Sequence, residues 1–531
     1  MSVHQDTFTR DHLPPRELWP ELVFDLPELE YPSSLNCASW LLDDAVREGH
    51  GNKTVLFSEQ GNLTYSELLA QANQIANVLK DKLKVVSGNR VLLRGYNSTE
   101  LVAAWFAVLK VGGVVVTTVP LFRAAELKSI ASKAAIDHAL CDAALVDELH
   151  LARGQGGLLN HCLTWGDGQL EKLMLEQPKV FSNVLVASED VCLLAFTSGS
   201  TGVPKATMHF HRDILAVTDV VGRHFLKTQS SDIYLGSPPL GFTFGLGALV
   251  LVPMRFRASS VMVPVPSAEA LVKAIELFSV TCLFTAPTMY KNLLAVVTPD
   301  NIHTLEKCVS AGEPLFKEVY ELWHDKTDIA IMDGIGATEM LHIFIGAGAD
   351  EVRPGSTGKP LPGYQAKVVD GNGKEVPVGT EGMLVVRGPT GCRYLDAPGL
   401  QKDYVVDGWN QTGDLYKVDE EGYFWFVSRT DDLIVSSGYN IAAPEVESVL
   451  IQHPRVVECA VVGVNDHKRG KLVKAFIVVD SGTEELERLR EELVDFVKSR
   501  IAPYKYPRAI EFVDSLPKTV TGKLQRKKLL D

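Results

Sequence analysis

From Thr64 the apolar positions Leu68, Ala72, Ile75 and Leu79 recur at helical spacing behind a Thr64-x-x-Glu67 pair. That pattern predicts a helix with one buried face, opened by a capping box in which hydroxyl and carboxylate satisfy the first free N–H groups. Continuous apolar runs follow at residues 90–93 ("RVLL") and 113–119 ("GVVVTTV"), with helical patterns over 98–110 and from Ala124. Runs without polar alternation are strands covered on both faces, and their alternation with helices predicts a parallel α/β layer structure. The most apolar stretch, 101–121, is broken by Lys110, Gly112 and Gly113. It therefore predicts a buried helix and then a strand, not a membrane span. The alternation resumes over 270–294, where a helix stands beside "VTCLFTA". Beyond Gly355 glycines at 358, 363, 371, 373, 379 and 382 separate short strand-like pieces, the texture of a small barrel or antiparallel sheet. After "RTDD" (429–432) come apolar strands near 456–464 and 472–479 and a charged helix over 484–501. The expected fold is α/β and multidomain: a large N-terminal domain of layered α/β subdomains plus a small β-barrel-like part, residues 1–430, and a small α+β C-terminal domain, residues 431–531.

Length supports this division, because 531 residues exceed what a single core organises. Hydrophobic content of 46% with 22% charged residues belongs to an ordinary globular protein. A net charge of −14 argues against a general nucleic-acid binder but leaves room for a local basic patch that holds a small anion. Cys37, Cys141, Cys162, Cys192, Cys282, Cys308, Cys392 and Cys459 form no C-x-x-C pair and stand near no His cluster at metal spacing. Free thiols in a reducing compartment, without structural zinc, are expected. The start, "MSVHQDTFTRDH", has no apolar core of signal-peptide type. These features point to a cytoplasmic protein, monomer or homodimer, with neither membrane nor nucleic acid as partner.

The candidate chemistry begins at "TSGSTGVPKA", residues 197–206, entered directly from the apolar run 191–196. Backbone N–H groups of a glycine-rich turn can converge on a polyphosphate, hydroxyls add donors, and Lys205 supplies a point charge. The order is not that of a Walker loop, since Ala206 follows the lysine where Ser or Thr would ligate magnesium.

"LLAFTSGSTGVPKA" resembles the phosphate loop of the adenylate-forming superfamily, which includes acyl-CoA ligases, luciferases and peptide-synthetase adenylation domains. Four more segments follow in that family's order: "DGIGATEM" (333–340), "QTGDLYKVDEEGYFWFVSR" (411–429), "RTDDLIVSSGYNIAAPEVE" (429–447) and "LPKTVTGKLQRKKL" (516–529). The resemblance implies that Thr197, Ser198, Gly199, Ser200, Thr201, Gly202 and Lys205 bind the phosphates of ATP. It implies that Gly312, Glu313 and Pro314 flank the adenine together with Asp333, Gly334 and Ile335. Thr338 and Glu339 are implied to be catalytic, with Glu339 ligating Mg²⁺, an ion that takes hard oxygen donors. Asp414 is implied to accept from the ribose hydroxyls, with Phe426 and Arg429 beside the nucleotide. Lys523, behind Gly522 in a basic terminal stretch, would stabilise charge that develops as a carboxylate attacks the α-phosphate.

The family's reaction has two halves, formation of an acyl-adenylate with release of pyrophosphate and then displacement of AMP by a thiol. The resemblance implies that a mobile C-terminal lid turns about Asp431 between them, withdrawing Lys523 and bringing Ser437, Gly438 and Tyr439 to the coenzyme A tunnel. Ser428 and Ser437 depart from the family's usual glycines. "SAGEPL", "DGIGATEMLHIFI" and "GKPLPGYQAKVVD" resemble the benzoate-CoA ligase branch; "RGPTGCRYL", "GYNIAAPEVE" and "APYKYPRAIEFVD" resemble 2-aminobenzoate-CoA ligases. Phe242, Phe244, Ala311, Ile335, Gly336, His342 and Ile343 would then form a flat apolar slot for an aromatic ring. His342 either bonds an ortho substituent or packs. A medium-chain fatty acyl-CoA ligase and a carrier-protein-loading enzyme of the same superfamily stay open. A kinase or motor-type ATPase is disfavoured by the missing Walker order, and a nucleotide sensor by the presence of both Lys523 and Glu339.

Overall fold

The computed structural model describes residues 2–153, 158–197, 204–436, 439–466, 470–480, 485–518 and 524–530. Two parallel-centred sheets form the body. The first runs in the order His161–Trp165, His138–Asp142, Arg90–Arg94, Val114–Thr118, Val191–Thr197 and Lys205–Phe210, parallel throughout except for its last pair. The second has nine strands: Lys359–Pro360, Ile343–Gly346, Ile331–Gly336, Lys307–Ala311, Cys282–Thr285, Ile233–Gly236, Ser259–Val261, Thr54–Phe57 and Leu63–Thr64. It is parallel from Ile331–Gly336 to Thr54–Phe57 and antiparallel at both margins.

Local signals account for many of these elements. Thr64 caps the helix Tyr65–Asp81 reciprocally with Glu67, and Leu68, Ala72, Ile75 and Leu79 form its buried face. Ser98 caps Thr99–Lys110, whose residues from Leu101 to Lys110 are all buried. The Lys110 ammonium inside this apolar helix is matched by both Asp43 carboxylate oxygens, at 2.7 and 2.8 Å. Among the described residues no helix is long and apolar enough to cross a membrane.

The glycine-rich region forms a third sheet, Gln365–Val369, Gly382–Arg387, Trp409–Val418 and Val405–Val406, with Phe424–Arg429 also on Trp409–Val418. The expected barrel-like part is instead an open antiparallel sheet. Closure needs the outer strand to pair on both edges, but among the described residues Gln365–Val369 shares a ladder only with Gly382–Arg387. A fourth sheet holds Tyr439–Ala442, Leu433–Ser436, Gly470–Val479, Val456–Asp466 and Ala509–Phe512. Its packed apolar residues, from Ile434 to Leu529, form clusters of their own, including one face of the helix Leu486–Lys498. This is the small, separate C-terminal domain.

Candidate active site

Thr197 and Lys205 face each other across the antiparallel ladder that ends the first sheet. Ser198, Gly199, Ser200, Thr201 and Gly202 lie outside the described residues. Lys205 opens a strand, Lys205–Phe210, not the helix that follows a Walker loop.

The outer side of that strand carries a segment whose chemistry the sequence did not reveal. Leu395 N–H donates to the Ala206 carbonyl at 2.9 Å, and Met208 N–H to the Arg393 carbonyl at 2.8 Å. Tyr394 is thereby placed so that its hydroxyl donates to Glu339 Oε1 at 2.7 Å. Burial first, then the Glu339 charge, pushes the Tyr394 hydroxyl far above its ordinary range, so it keeps its proton for that bond. His209 Nε2 lies 2.9 Å from the Thr338 carbonyl. Burial pulls this imidazole down to about 4, so the ring is neutral and Nε2 carries the donated proton. Beneath them the fully buried Arg393 and Asp213 pair at 2.9 Å, with the guanidinium 4.1 Å from the centre of the Phe210 ring. The turn Thr338–Met340 is thus fastened to the strand Lys205–Phe210 and the segment beside it by His209 and Tyr394. No local signal marks these two residues, because their partners are 129 and 55 positions away.

The remaining groups gather at the carboxyl ends of parallel strands, where open α/β sheets hold ligands. Ala311 and Gly334 are paired neighbours on adjacent strands. Gly312 follows with φ +91, a backbone conformation that glycine adopts without strain. Glu313 is held by the Thr288 hydroxyl at 2.8 Å, and Pro314 beside it is exposed. Burial raises the Asp333 carboxyl well above the carboxylate range, and its Oδ1 has no partner among the described residues. His342 packs 5.7 Å from the Phe244 ring centre, and Phe244 lies 6.0 Å from Phe284. A Cβ on Gly247 would stand 2.1 Å from the His342 ring, and one on Gly336 2.7 Å from the His342 carbonyl. These glycines leave the space the imidazole and its backbone fill. Burial lowers His342 to about 4. The Phe244 backbone faces the ring, and among the described residues neither nitrogen has a partner of normal hydrogen-bond geometry. Ile343 is buried, Ile335 is half-buried, and Phe242 is half-buried at the start of Thr243–Leu246.

On the third sheet Asp414 and Arg429 stand directly opposite each other and bond at 2.9 Å. Phe426 faces Tyr416 edge-on at 5.5 Å between ring centres. Ser428, the departure from the family's glycine, is fully buried with its hydroxyl on the Arg429 carbonyl. Asp431 lies in the turn Thr430–Asp432 and Tyr439 opens the strand Tyr439–Ala442. Ser437, Gly438 and Lys523 lie outside the described residues. Lys518 and Leu524 are bridged to each other, and Arg526 bonds both Glu447 oxygens and Asp432.

The family described as AMP-binding enzyme matches residues 42–394, and the AMP-binding enzyme C-terminal domain matches 445–523. The chain belongs to the AMP-binding enzyme family. Within it, this AMP-binding enzyme is an adenylate-forming acyl-CoA ligase, which uses ATP and coenzyme A. It is 33% identical over 513 residues to benzoate–CoA ligase of Thauera aromatica, covering 95% of this chain and 97% of that one. It is also 33% identical over 515 residues to the mitochondrial acyl-coenzyme A synthetase ACSM3 of Mus musculus, covering 93% and 86%. Among solved structures, the anthranilate CoA ligase AuaEII in complex with anthranoyl-AMP superposes with a TM-score of 0.90 at 34% identity, covering 95% of this chain and 98% of that chain.

Proposed function

We propose that this acyl-CoA ligase activates an aromatic acid, 2-aminobenzoate or benzoate, as its adenylate and transfers it to coenzyme A. The observation that carries the chemistry is the attachment of Thr338 and Glu339 to the strand Lys205–Phe210 and the segment beside it through His209 and Tyr394. It sets a carboxylate beside the place where the triphosphate would lie. Glu339 suits Mg²⁺: among the described residues its one hydrogen bond comes from a phenol and no cationic side chain neutralises it. When bound, Mg²⁺ would offset charge on the phosphate oxygens.

The acid's carboxylate oxygen attacks the α-phosphorus, the bond to the bridging oxygen breaks, and pyrophosphate leaves. Lys523 supplies a positive charge to the oxygens that gain charge in this step. Thr197 and Lys205 flank the phosphates, Asp414 and Arg429 hold the ribose edge, and Gly312, Glu313 and Asp333 border the adenine. The coenzyme A thiol, losing its proton, then attacks the acyl carbon and AMP departs, with the C-terminal domain, residues 431–531, turned about Asp431 so that Ser437, Gly438 and Tyr439 meet the pantetheine. The aromatic assignment is supported by the His342 ring packed on Phe244, with Gly336 against the His342 backbone, and by the two relatives named for benzoate and anthranilate. An aliphatic acid is the second reading, supported by the equal identity to a relative named only as an acyl-coenzyme A synthetase.

Acid-dependent ATP–pyrophosphate exchange with benzoate, 2-aminobenzoate, hydroxybenzoates and octanoate, followed by coenzyme A, tests this. Exchange with an aromatic acid and then a thioester is the expected result. Exchange with octanoate alone would overturn the aromatic assignment, and exchange without thioester formation would point to a carrier protein as acceptor.

A further inference from the structure

The cysteines that look scattered in the sequence are not all scattered in space. Cys37 precedes the helical segment Ser39–Asp43, Cys192 lies in the strand Val191–Thr197, and His211 is the first residue of the helix His211–Val220. One donor atom from each stands within 4.8 Å of the other two, and all three residues are completely buried. Cys37 Sγ is 3.1 Å from His211 Nδ1, and the Cys37 backbone N–H donates to the same nitrogen at 3.2 Å. A nitrogen that accepts carries no proton, so the ring proton sits on Nε2, which is buried without a partner among the described residues. The basic side of the imidazole therefore faces the Cys37 sulfur, and an ion bound there takes the lone pair that now accepts the Cys37 N–H. The proposed ligase reaction uses none of the three groups.

We propose that Cys37, Cys192 and His211 form a binding site for one thiophilic d10 metal ion, Cu⁺ or Zn²⁺. Thiolate and imidazole donors select these ions over Mg²⁺ or Ca²⁺, which take oxygen. Metal–sulfur bonds of about 2.3 Å and metal–nitrogen bonds of about 2.0 Å hold donors roughly 3.5 to 4 Å apart around a shared ion, so Cys37 Sγ and His211 Nδ1, at 3.1 Å, would separate by a few tenths of an ångström to admit one. Each thiol that binds releases its proton; Zn²⁺ balances the two thiolates, whereas Cu⁺ leaves the site with one net negative charge. Among the described residues no fourth His, Cys, Asp or Glu joins the three. A three-donor set suits Cu⁺ better than Zn²⁺, whose structural sites take four ligands. Complete burial means that the ion enters as the chain folds. Once bound, it ties the N-terminal segment to the strand that leads into Thr197 and to the helix that follows Lys205–Phe210, and so favours the folded state.

The test is expression in separate copper- and zinc-supplemented cultures, purification without oxygen, and measurement of metal per chain with X-ray absorption of the bound ion. One ion per chain with two sulfur and one imidazole neighbour is expected, and the two cultures distinguish copper from zinc. Cys37→Ala and Cys192→Ala should lose the ion, whereas Cys308→Ala, at a buried thiol outside the group, should keep it. Wild-type protein with no stoichiometric metal from either culture overturns the proposal. So does a Cys37–Cys192 disulfide, seen as a mass two hydrogens lighter, or an ion retained by Cys192→Ala. If the alanine variants do not fold, the wild-type absorption spectrum decides alone, and a shell without sulfur refutes the site.

Discussion

Glu339 shows how much one hydroxyl can matter. Its carboxylate is oriented by Tyr394 alone among the described residues, and a hydrogen bond to a charged group contributes about 1.5 to 3 kcal/mol. Tyr394→Phe keeps the ring and removes only that donor. The Mg²⁺ concentration for half-maximal pyrophosphate exchange should rise about tenfold, the lower end of that range, with stability lowered by no more than the same range. An unchanged Mg²⁺ dependence would show that Tyr394 only packs. Lys523→Ala should slow adenylation by roughly a hundredfold or more, the scale for losing one preorganised charge donor. Near-normal pyrophosphate release by that variant would remove Lys523 from the mechanism. At this scale the candidate nucleotide groups were proposed from the resemblance of short ordered segments, whose Gly, Ser, Thr and Lys offer donors and turns. Tyr394 and His209 were not, since a tyrosine or histidine in an apolar run gives no sign of what it will touch.

At the scale of elements, the hairpin of Val191–Thr197 and Lys205–Phe210 rests on a buried ion pair. Arg393 comes from the segment alongside Lys205–Phe210, and Asp213 from the first turn of His211–Val220. Removing one member of such a pair leaves the other charged in a dry interior, at about 3 to 5 kcal/mol. Asp213→Ala should therefore destabilise the chain by that amount in urea unfolding, and the double variant Asp213→Ala with Arg393→Met should recover much of the loss. A single variant as stable as wild type would mean that the pair contributes nothing net. Element type was readable wherever period and cap agreed: the pattern over 98–110 became Thr99–Lys110 with Ser98 as its cap, and 484–501 became Leu486–Lys498. Partner choice was not. The glycine-rich strands were consistent with a barrel or an open sheet, and what distinguished them is that among the described residues Gln365–Val369 forms a ladder with Gly382–Arg387 and with no second strand, its other edge meeting only Glu375 and Val376 of its own turn.

Over the whole molecule, buried histidines set a pH dependence. Burial lowers His4, His209 and His342 from 6.5 to about 4 each. The unfolded chain takes up these protons near 6.5 and the folded chain only near 4, so stability is complete above the upper value and lost as pH falls through that window. Asp333 and Asp44, raised by burial, work in the opposite sense, whereas His138, also lowered by burial, adds to the three. The urea midpoint at pH 5 should lie below that at pH 7, and equal midpoints would mean that these imidazoles are hydrated. Alternating apolar runs and a change of texture after Gly355 pointed to an α/β chain with a glycine-rich sheet, because periodicity is a property of neighbours along the chain, while the adenylate-forming family was implied by the resemblance of five ordered segments and is shown by the family match. The joining of Glu339 to Tyr394, of Arg393 to Asp213, and of Cys37 to His211 across 174 positions was settled only when the sheets packed. Burial turns a distant pair into a contact, and no spacing along a chain encodes which distant residues will share an interior.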